Sequence, residues 1–137
     1  LNIELRVREI RTRDDVAESY QRGRDDGADA INIFASPFLS ALYREMIDLS
    51  EKYQFPAIYQ WKEHVEAGGL VSFGPNLASL WRQAGTIVAK VLKGATPAEI
   101  PIEQPTKFEL AVNTRTAKGL KIQLPATILV RADDLFE

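Results

Sequence analysis

Pro56-Ala57-Ile58-Tyr59 and, after one charged turn, Leu70-Val71-Ser72-Phe73-Gly74-Pro75 are the two stretches that decide how this chain folds. Each opens with a short apolar run carrying β-branched or aromatic residues and is bounded by Pro or Gly. Such runs are too short for a helix and read as strands. Glu63 to Ala67, between them, fits one helical turn ahead of Gly68-Gly69. Upstream, Ala30 to Ala35 is another short apolar run, read as a buried strand that Ser36-Pro37 ends. A helix from Phe38 to about Lys52 follows, burying Leu42, Tyr43, Met46 and Leu49. Downstream, Leu77 to Lys93 carries the strongest helical pattern in the chain. Leu77, Leu80, Trp81, Ala84, Ile87, Val88, Val91 and Leu92 make one continuous stripe, with Asn76 placed to cap its start and Gly94 its end.

The flanks fill in the rest. Ile3 to Ile10 alternates, with Ile3, Leu5 and Val7 on one side and Glu4, Arg6 and Arg8 on the other, the period of a strand with one wet face. Asp14 is placed to cap a helix that buries Val16, Ala17 and Tyr20 and stops at Gly27. Pro97, Pro101 and Pro105 mark an extended connection. Phe108, Leu110 and Val112 alternate through a further strand, Thr114 opens a short helix, and Pro125 sits at the first turn of a final one. Strand and helix alternate throughout. The expected fold is therefore a single α/β domain over residues 1–137, a parallel sheet with flanking helices.

Composition excludes several functions. The 19 acidic and 17 basic residues are scattered and leave a net charge of −2, so there is no electrostatic case for nucleic acid as a partner. The absence of cysteine removes thiolate catalysis, disulfides and thiolate metal sites. His64 is the only histidine, in a charged turn where a solvated side chain is expected, and no Ser or Cys nucleophile motif accompanies it. Asp14-Asp15, Asp25-Asp26 and Asp133-Asp134 read as caps and solvated ends. Ser72-Phe73-Gly74-Pro75 lacks the glycine spacing and the lysine of a phosphate loop. No catalytic residue, metal site or cofactor is called for, and the chain is not expected to be an enzyme.

A parallel sheet does bind ligands, beyond the C-terminal ends of its strands. That rule selects three tips: Ser36 and Phe38; Tyr59, Gln60 and Trp61; Ser72, Phe73, Gly74 and Asn76. Aromatic faces with a few hydrogen-bonding groups suit a small, partly apolar solute.

Further residues carry a resemblance. They are Pro56 to Tyr59, Glu66-Ala67-Gly68-Gly69-Leu70-Val71-Ser72-Phe73-Gly74-Pro75, Leu92-Lys93-Gly94-Ala95, Pro101-Ile102-Glu103-Gln104-Pro105-Thr106-Lys107-Phe108-Glu109-Leu110, Asn113, Thr116-Ala117-Lys118 and Arg131-Ala132-Asp133. In this order and spacing, from Asp29 onward, the chain resembles the ABC-transporter substrate-binding family related to bacterial tryptophan- and tyrosine-type uptake proteins. The resemblance implies a type I periplasmic binding fold, in which two Rossmann-like lobes, each a parallel sheet with flanking helices, close on a small-molecule solute and a membrane permease recognises the closed form. It also implies a periplasmic or cell-surface-anchored location. Ser72-Phe73-Gly74 stands where the family has Ser-Tyr-Gly beside the ligand, so the ring remains and a phenolic hydroxyl is lost. Lys121, after Gly119-Leu120, stands where the family ends a helix with glycine.

Against a full member, this chain is expected to be the C-terminal lobe with hinge segments, beginning at the second strand of that lobe. The missing central strand leaves a gap, which is expected to close by pairing Leu1–Ile10 with Ala30–Ala35 or through an intertwined homodimer. The 77–94 helix is expected to pack on the absent lobe or on a partner chain. The rival expectation is a stand-alone α/β regulatory domain that dimerises through the same helix and takes no ligand.

Overall fold

The computed structural model describes residues 3–137. Helix α1 spans Asp14–Asp25, α2 Pro37–Ala41 and α3 Tyr43–Lys52; between α1 and α2 lies strand β1, Ile31–Asn32. Strand β2 (Ala57–Tyr59) leads through α4 (Lys62–Glu66) to β3 (Val71–Pro75) and α5 (Leu77–Leu92). A 3-10 turn at Pro97–Glu99 and an irregular run lead to β4 (Phe108–Asn113), α6 (Thr114–Gly119), α7 (Ala126–Arg131) and β5 (Asp134–Phe136). The five strands form one sheet in the order β1-β2-β3-β4-β5. The pairs β1–β2, β2–β3 and β4–β5 are parallel, as expected, whereas β3 and β4 run antiparallel with Phe73 opposite Leu110. The reversal follows from the connection: the chain leaves β3 along α5 and returns through the proline-marked segment to the same end of the sheet, where the Asn76 N–H donates to the Lys107 carbonyl at 2.9 Å.

Two apolar centres hold the sheet. On one, Val16, Tyr20, Met46, Phe55, Ala57 and Tyr59 form a buried cluster that joins α1 and α3 to β2. Tyr20 donates to the Met46 carbonyl at 3.0 Å, and its hydroxyl lies 3.1 Å from Ser50 Oγ, so the phenol brings no unpaired polar atom into the core. The other lies beneath α4, where Val65, Leu70, Ala111, Val112 and Ala117 are buried. Asn113 ties this centre together. Its Oδ1 caps α6 by accepting from the Thr116 N–H at 2.9 Å, and its Nδ2 donates to the Val65 carbonyl at 3.1 Å.

Several expectations are corrected. Residues 3–10 form no strand and do not pair with Ala30–Ala35; Leu1 and Asn2 of that stretch lie outside the described residues. Ile3, Leu5 and Val7 are exposed, because alternation makes a strand only where a neighbour supplies the ladder. Arg6 and Arg8 instead tie the segment to Asp26 at the end of α1. Ala30–Ala35 is no buried strand either: only Ile31–Asn32 is in the ladder, at the sheet edge, and Phe34 is exposed. The Phe38–Lys52 helix breaks at Leu42 into α2 and α3. At the start of α1 it is Asp15, not Asp14, that serves the backbone, accepting from the N–H groups of Arg11 and Thr12. Those bonds, the one from Arg11 first, hold the Asp15 carboxyl below its ordinary pKa.

On β4 the alternation also resolves differently. Phe108 is exposed, while Glu109 is turned inward with Ala111 and Asn113. The strand β5, unforeseen, takes Asp134 out of the solvent-exposed pair expected of it. Asp134 sits opposite Ala111 in the ladder and bonds Lys62 at 3.1 Å.

Candidate functional site

Because β1, β2 and β3 are parallel neighbours, their C-terminal ends lie side by side at one edge of the sheet. This is the crevice position at which open α/β sheets take ligands. Ser36 follows β1 as the half-buried N-cap residue of α2, and Phe38 lies in the first turn of α2, exposed. Gln60 and Trp61 follow β2, both half-buried. Phe73 stands on β3, 58% exposed and stacked on Phe108 with ring centroids 5.8 Å apart. That pair presents two stacked, exposed rings.

Three of the sequence-selected residues face inward. Tyr59 is 2% exposed and belongs to the α1–α3 core, with its hydroxyl 3.5 Å from Ser50 Oγ; burial pushes its pKa up. Ser72 is buried, and its Oγ has no hydrogen-bond partner. Gly74 is buried where β2 and β3 converge. A Cβ there would lie 2.1 Å from the Gln60 carbonyl oxygen, so only glycine lets the two strand ends approach this closely. The tips therefore divide into an exposed set (Phe38, Phe73), a half-buried set (Ser36, Gln60, Trp61) and a buried support (Tyr59, Ser72, Gly74).

His64 was expected in solvent and is not there. It is 8% exposed, stacked on Tyr43 at 4.8 Å and edge-on to Tyr59 at 5.7 Å. The reason is α4, whose first turn lays the ring between α3 and β2. Desolvation lowers its pKa, so the imidazole is neutral near pH 7. His64 Nδ1 and Gln60 Oε1 are both buried without partners, and both residues line a small cavity between the β1 and β2 tips and helices α2 and α3. Sequence reasoning missed His64 because nothing in a charged turn marks one side chain as inward.

A second constellation also escaped it. Asn76 caps α5 as expected, its Oδ1 accepting from the Ser79 N–H at 2.8 Å. Its Nδ2 also donates to Glu109 Oε2 at 2.6 Å. The carboxylate that reads as solvated in an alternating strand thus pins the start of α5 to β4. Beyond this clasp an open polar groove runs between α5 and residues 103–106, where Gln83 donates to Glu103 at 2.7 Å.

Helix α5 itself has no buried residue: Trp81 is 70% and Leu92 83% exposed. Among the described residues no three His, Asp or Glu side chains group as a metal site, and no helix is long and apolar enough to cross a membrane.

Similarity to known proteins agrees with this geometry. A crystal structure described as a conserved domain protein from Vibrio cholerae O1 biovar El Tor matches with a TM-score of 0.82 at 23% identity, over 89% of this chain and 41% of that one. An ABC domain in complex with L-Trp from Streptococcus pneumoniae matches with a TM-score of 0.80 at 23% identity, over 90% and 42%. A ligand-free, open substrate-binding protein with adhesive properties from Clostridium difficile matches with a TM-score of 0.58 at 17% identity, over 93% and 42%. The chain thus spans about two fifths of the length of each, and at these identities the likeness is one of fold. Comparison with curated protein sequences gives no significant match. The model of the family described as ABC transporter substrate binding protein matches residues 1–136, and the chain belongs to that family.

Proposed function

We propose that this chain contributes the C-terminal lobe and hinge segments of a solute-binding protein that serves an ABC uptake transporter. A small solute, an amino acid or a related compound, is held between the β1–β3 tips and an opposing lobe. The protein works outside the cytoplasmic membrane, in the periplasm or anchored at the cell surface, and delivers the solute unchanged to a membrane permease. Ser36, Phe38, Gln60, Trp61 and Phe73 form this half of the site, with Tyr59, Ser72 and Gly74 bracing it from beneath.

The observation that carries this reading is the row of three parallel strand ends, which sets aromatic rings and half-buried polar groups along one crevice. Family membership and the L-Trp carried by a structure of the same fold agree with it. The apolar stripe of α5 supports a missing counterpart, since contiguous exposed apolar faces mark interfaces. The second lobe covers it, or a second copy where these residues stand alone. A stand-alone domain without ligand explains the stripe as well, but leaves the polar atoms buried at the strand tips without a purpose.

Calorimetric titration with aromatic and branched amino acids tests the proposal. The full-length protein should bind at least one member, and the solute should be recovered chemically intact. Residues 1–137 alone should bind weakly or not at all, because ligand pockets bury most of a ligand's surface and half a cleft cannot. Micromolar binding by the isolated residues would defeat the two-lobed reading.

A further inference from the structure

Helix α5 and the segment that returns from it form an arm. No residue from 76 to 107 is buried. The two halves of the arm hold to each other, Gln83 donating to Glu103 at 2.7 Å and Lys90 lying 3.6 Å from the same carboxylate. The arm leaves the sheet from β3 and returns on β4, which pair with Gly74 opposite Glu109 and Pro75 opposite Phe108. At that end the ladder is only two strands wide, since β2 pairs with Val71 and Ser72 and β5 with residues 111–113. Two-stranded ribbons twist over a wide range, so the ladder alone sets the angle of the arm loosely.

One side chain adds direction. Asn76 Oδ1 accepts from the Ser79 N–H at 2.8 Å in the first turn of α5, and Asn76 Nδ2 donates to Glu109 Oε2 at 2.6 Å on β4. These neighbours fix which way the amide points, because a backbone N–H needs an acceptor and a carboxylate needs a donor. Glu109 is 8% exposed, and Lys62 bonds Asp134 at 3.1 Å rather than Glu109. By strand alternation the stacked Phe73 and Phe108 lie on the other side of the ribbon. An aromatic pair holds over centroid separations from about 4.5 to 7 Å and so tolerates sliding, whereas a charge-assisted hydrogen bond does not.

We infer that Asn76 and Glu109 are positioning residues, whose bond sets the angle of the α5 arm to the sheet and with it how wide the strand-tip crevice stands when no solute is bound. The crevice half of the inference rests on the solute-binding reading above; the arm half does not. Whatever covers the apolar stripe of α5 travels with the arm. Gly74, opposite Glu109, is also the residue on which the Gln60 end of β2 closes, so one rung of the ladder carries both clasp and crevice. At 1.5 Å per residue α5 is about 24 Å long, and a turn of about 10° at its start moves its far end by about 4 Å.

Two substitutions test the bond. Asn76→Asp keeps the size of the side chain and the acceptor for Ser79, but sets one carboxylate against another. Glu109→Gln still accepts from the Asn76 amide. Combined, they reverse the bond, the new amide on β4 donating to the new carboxylate at 76. The measurement is the distance between spin labels at Lys93→Cys on the arm and Glu18→Cys on α1, in the full-length protein without solute, each variant checked for cooperative melting. Glu109→Gln should leave the distance as it is, Asn76→Asp should shift or broaden it by about 4 Å, and the combination should restore it. An unchanged distance in Asn76→Asp, or a change that the combination does not reverse, overturns the inference. If Asn76→Asp does not melt cooperatively, Asn76→Ser, which keeps the cap and deletes the amide, takes its place and should give the same shift; no shift overturns the inference. Titration with the amino-acid panel reads the crevice: affinity should change about fivefold or more in Asn76→Asp and return in the combination. Equal affinity with a shifted arm overturns the crevice half. A panel to which the unsubstituted protein is silent defeats the solute-binding proposal and the crevice half with it, while the distances alone decide the arm.

Discussion

Helices α4 and α5 lie on either side of β3 in the chain and invert the usual relation between pattern and burial. The shorter, five residues with Lys62, Glu63 and Glu66 among them, buries His64 and Val65 against β2, β3 and β4. The longer, sixteen residues with an unbroken apolar stripe, a side-chain cap and a glycine stop, buries nothing. Periodicity announces that a helix has an apolar face; it does not say what covers that face. α4 is placed by the two glycines that follow it and by the strands it joins. α5 is placed by the Asn76–Glu109 clasp at one end and then runs clear of the sheet.

Six substitutions test that contrast. The largest effect is expected of Gly74→Ala. The added carbon meets the Gln60 backbone oxygen, which has no rotamer to escape through, so the β2 and β3 ends must part. A loss of about 3 kcal/mol or more in urea unfolding is expected, the upper range for overpacking. Next comes the pair Val65→Ala and Val88→Ala. The first empties a fully buried position of α4 and should cost about 2–3 kcal/mol, while the second, half-exposed on α5, should stay within about 0.5 kcal/mol. Equal costs would break the contrast, because they would mean that the α5 stripe is covered in solution. In a longer protein whose second lobe covers α5, Val88→Ala should rise toward the Val65→Ala value.

Asn76→Ala sharpens the contrast at the point where α5 leaves the sheet. It removes the cap and leaves the Glu109 carboxylate without its amide partner, for a combined cost of about 2 kcal/mol. Glu109→Gln, which can still accept that bond, should cost less. The smallest effect concerns the buried ring of α4. Because the folded-state pKa of His64 lies below the unfolded value of about 6.5, the unfolded chain binds more protons there. That contribution to stability is complete above pH 6.5 and is lost as pH falls through the unfolded value toward the folded one. A stability–pH profile should show this decline in the native chain, and His64→Phe should remove its share.

Much of the fold was legible from local chemistry. Asn76 and Gly94 bracket α5, the Leu77–Lys93 stripe has its period, and Pro56–Tyr59 and Leu70–Phe73 stand as strands within one or two residues of their observed limits. The parallel order of the first three strands follows from the helices between them, and with it the row of tips where the candidate site lies. The division of that row was not legible. Tyr59 and Trp61 are both aromatic and two residues apart, yet one is sealed in the core and the other lines a recess.

The sequence on its own determined the elements that depend on a few adjacent residues: turns, caps, helical stripes, and the general position of a ligand site on an α/β sheet. Only the tertiary structure decided that Ile3–Ile10 lacks a ladder, that β4 runs against β3, that Glu109 and His64 point inward, and that α5 goes uncovered. The physical reason is the range of the interactions. A cap or a period is satisfied within one or two turns of chain. A strand needs a neighbour, a buried carboxylate needs its amide and an apolar face needs its cover, and each is supplied by residues far along the chain or outside it.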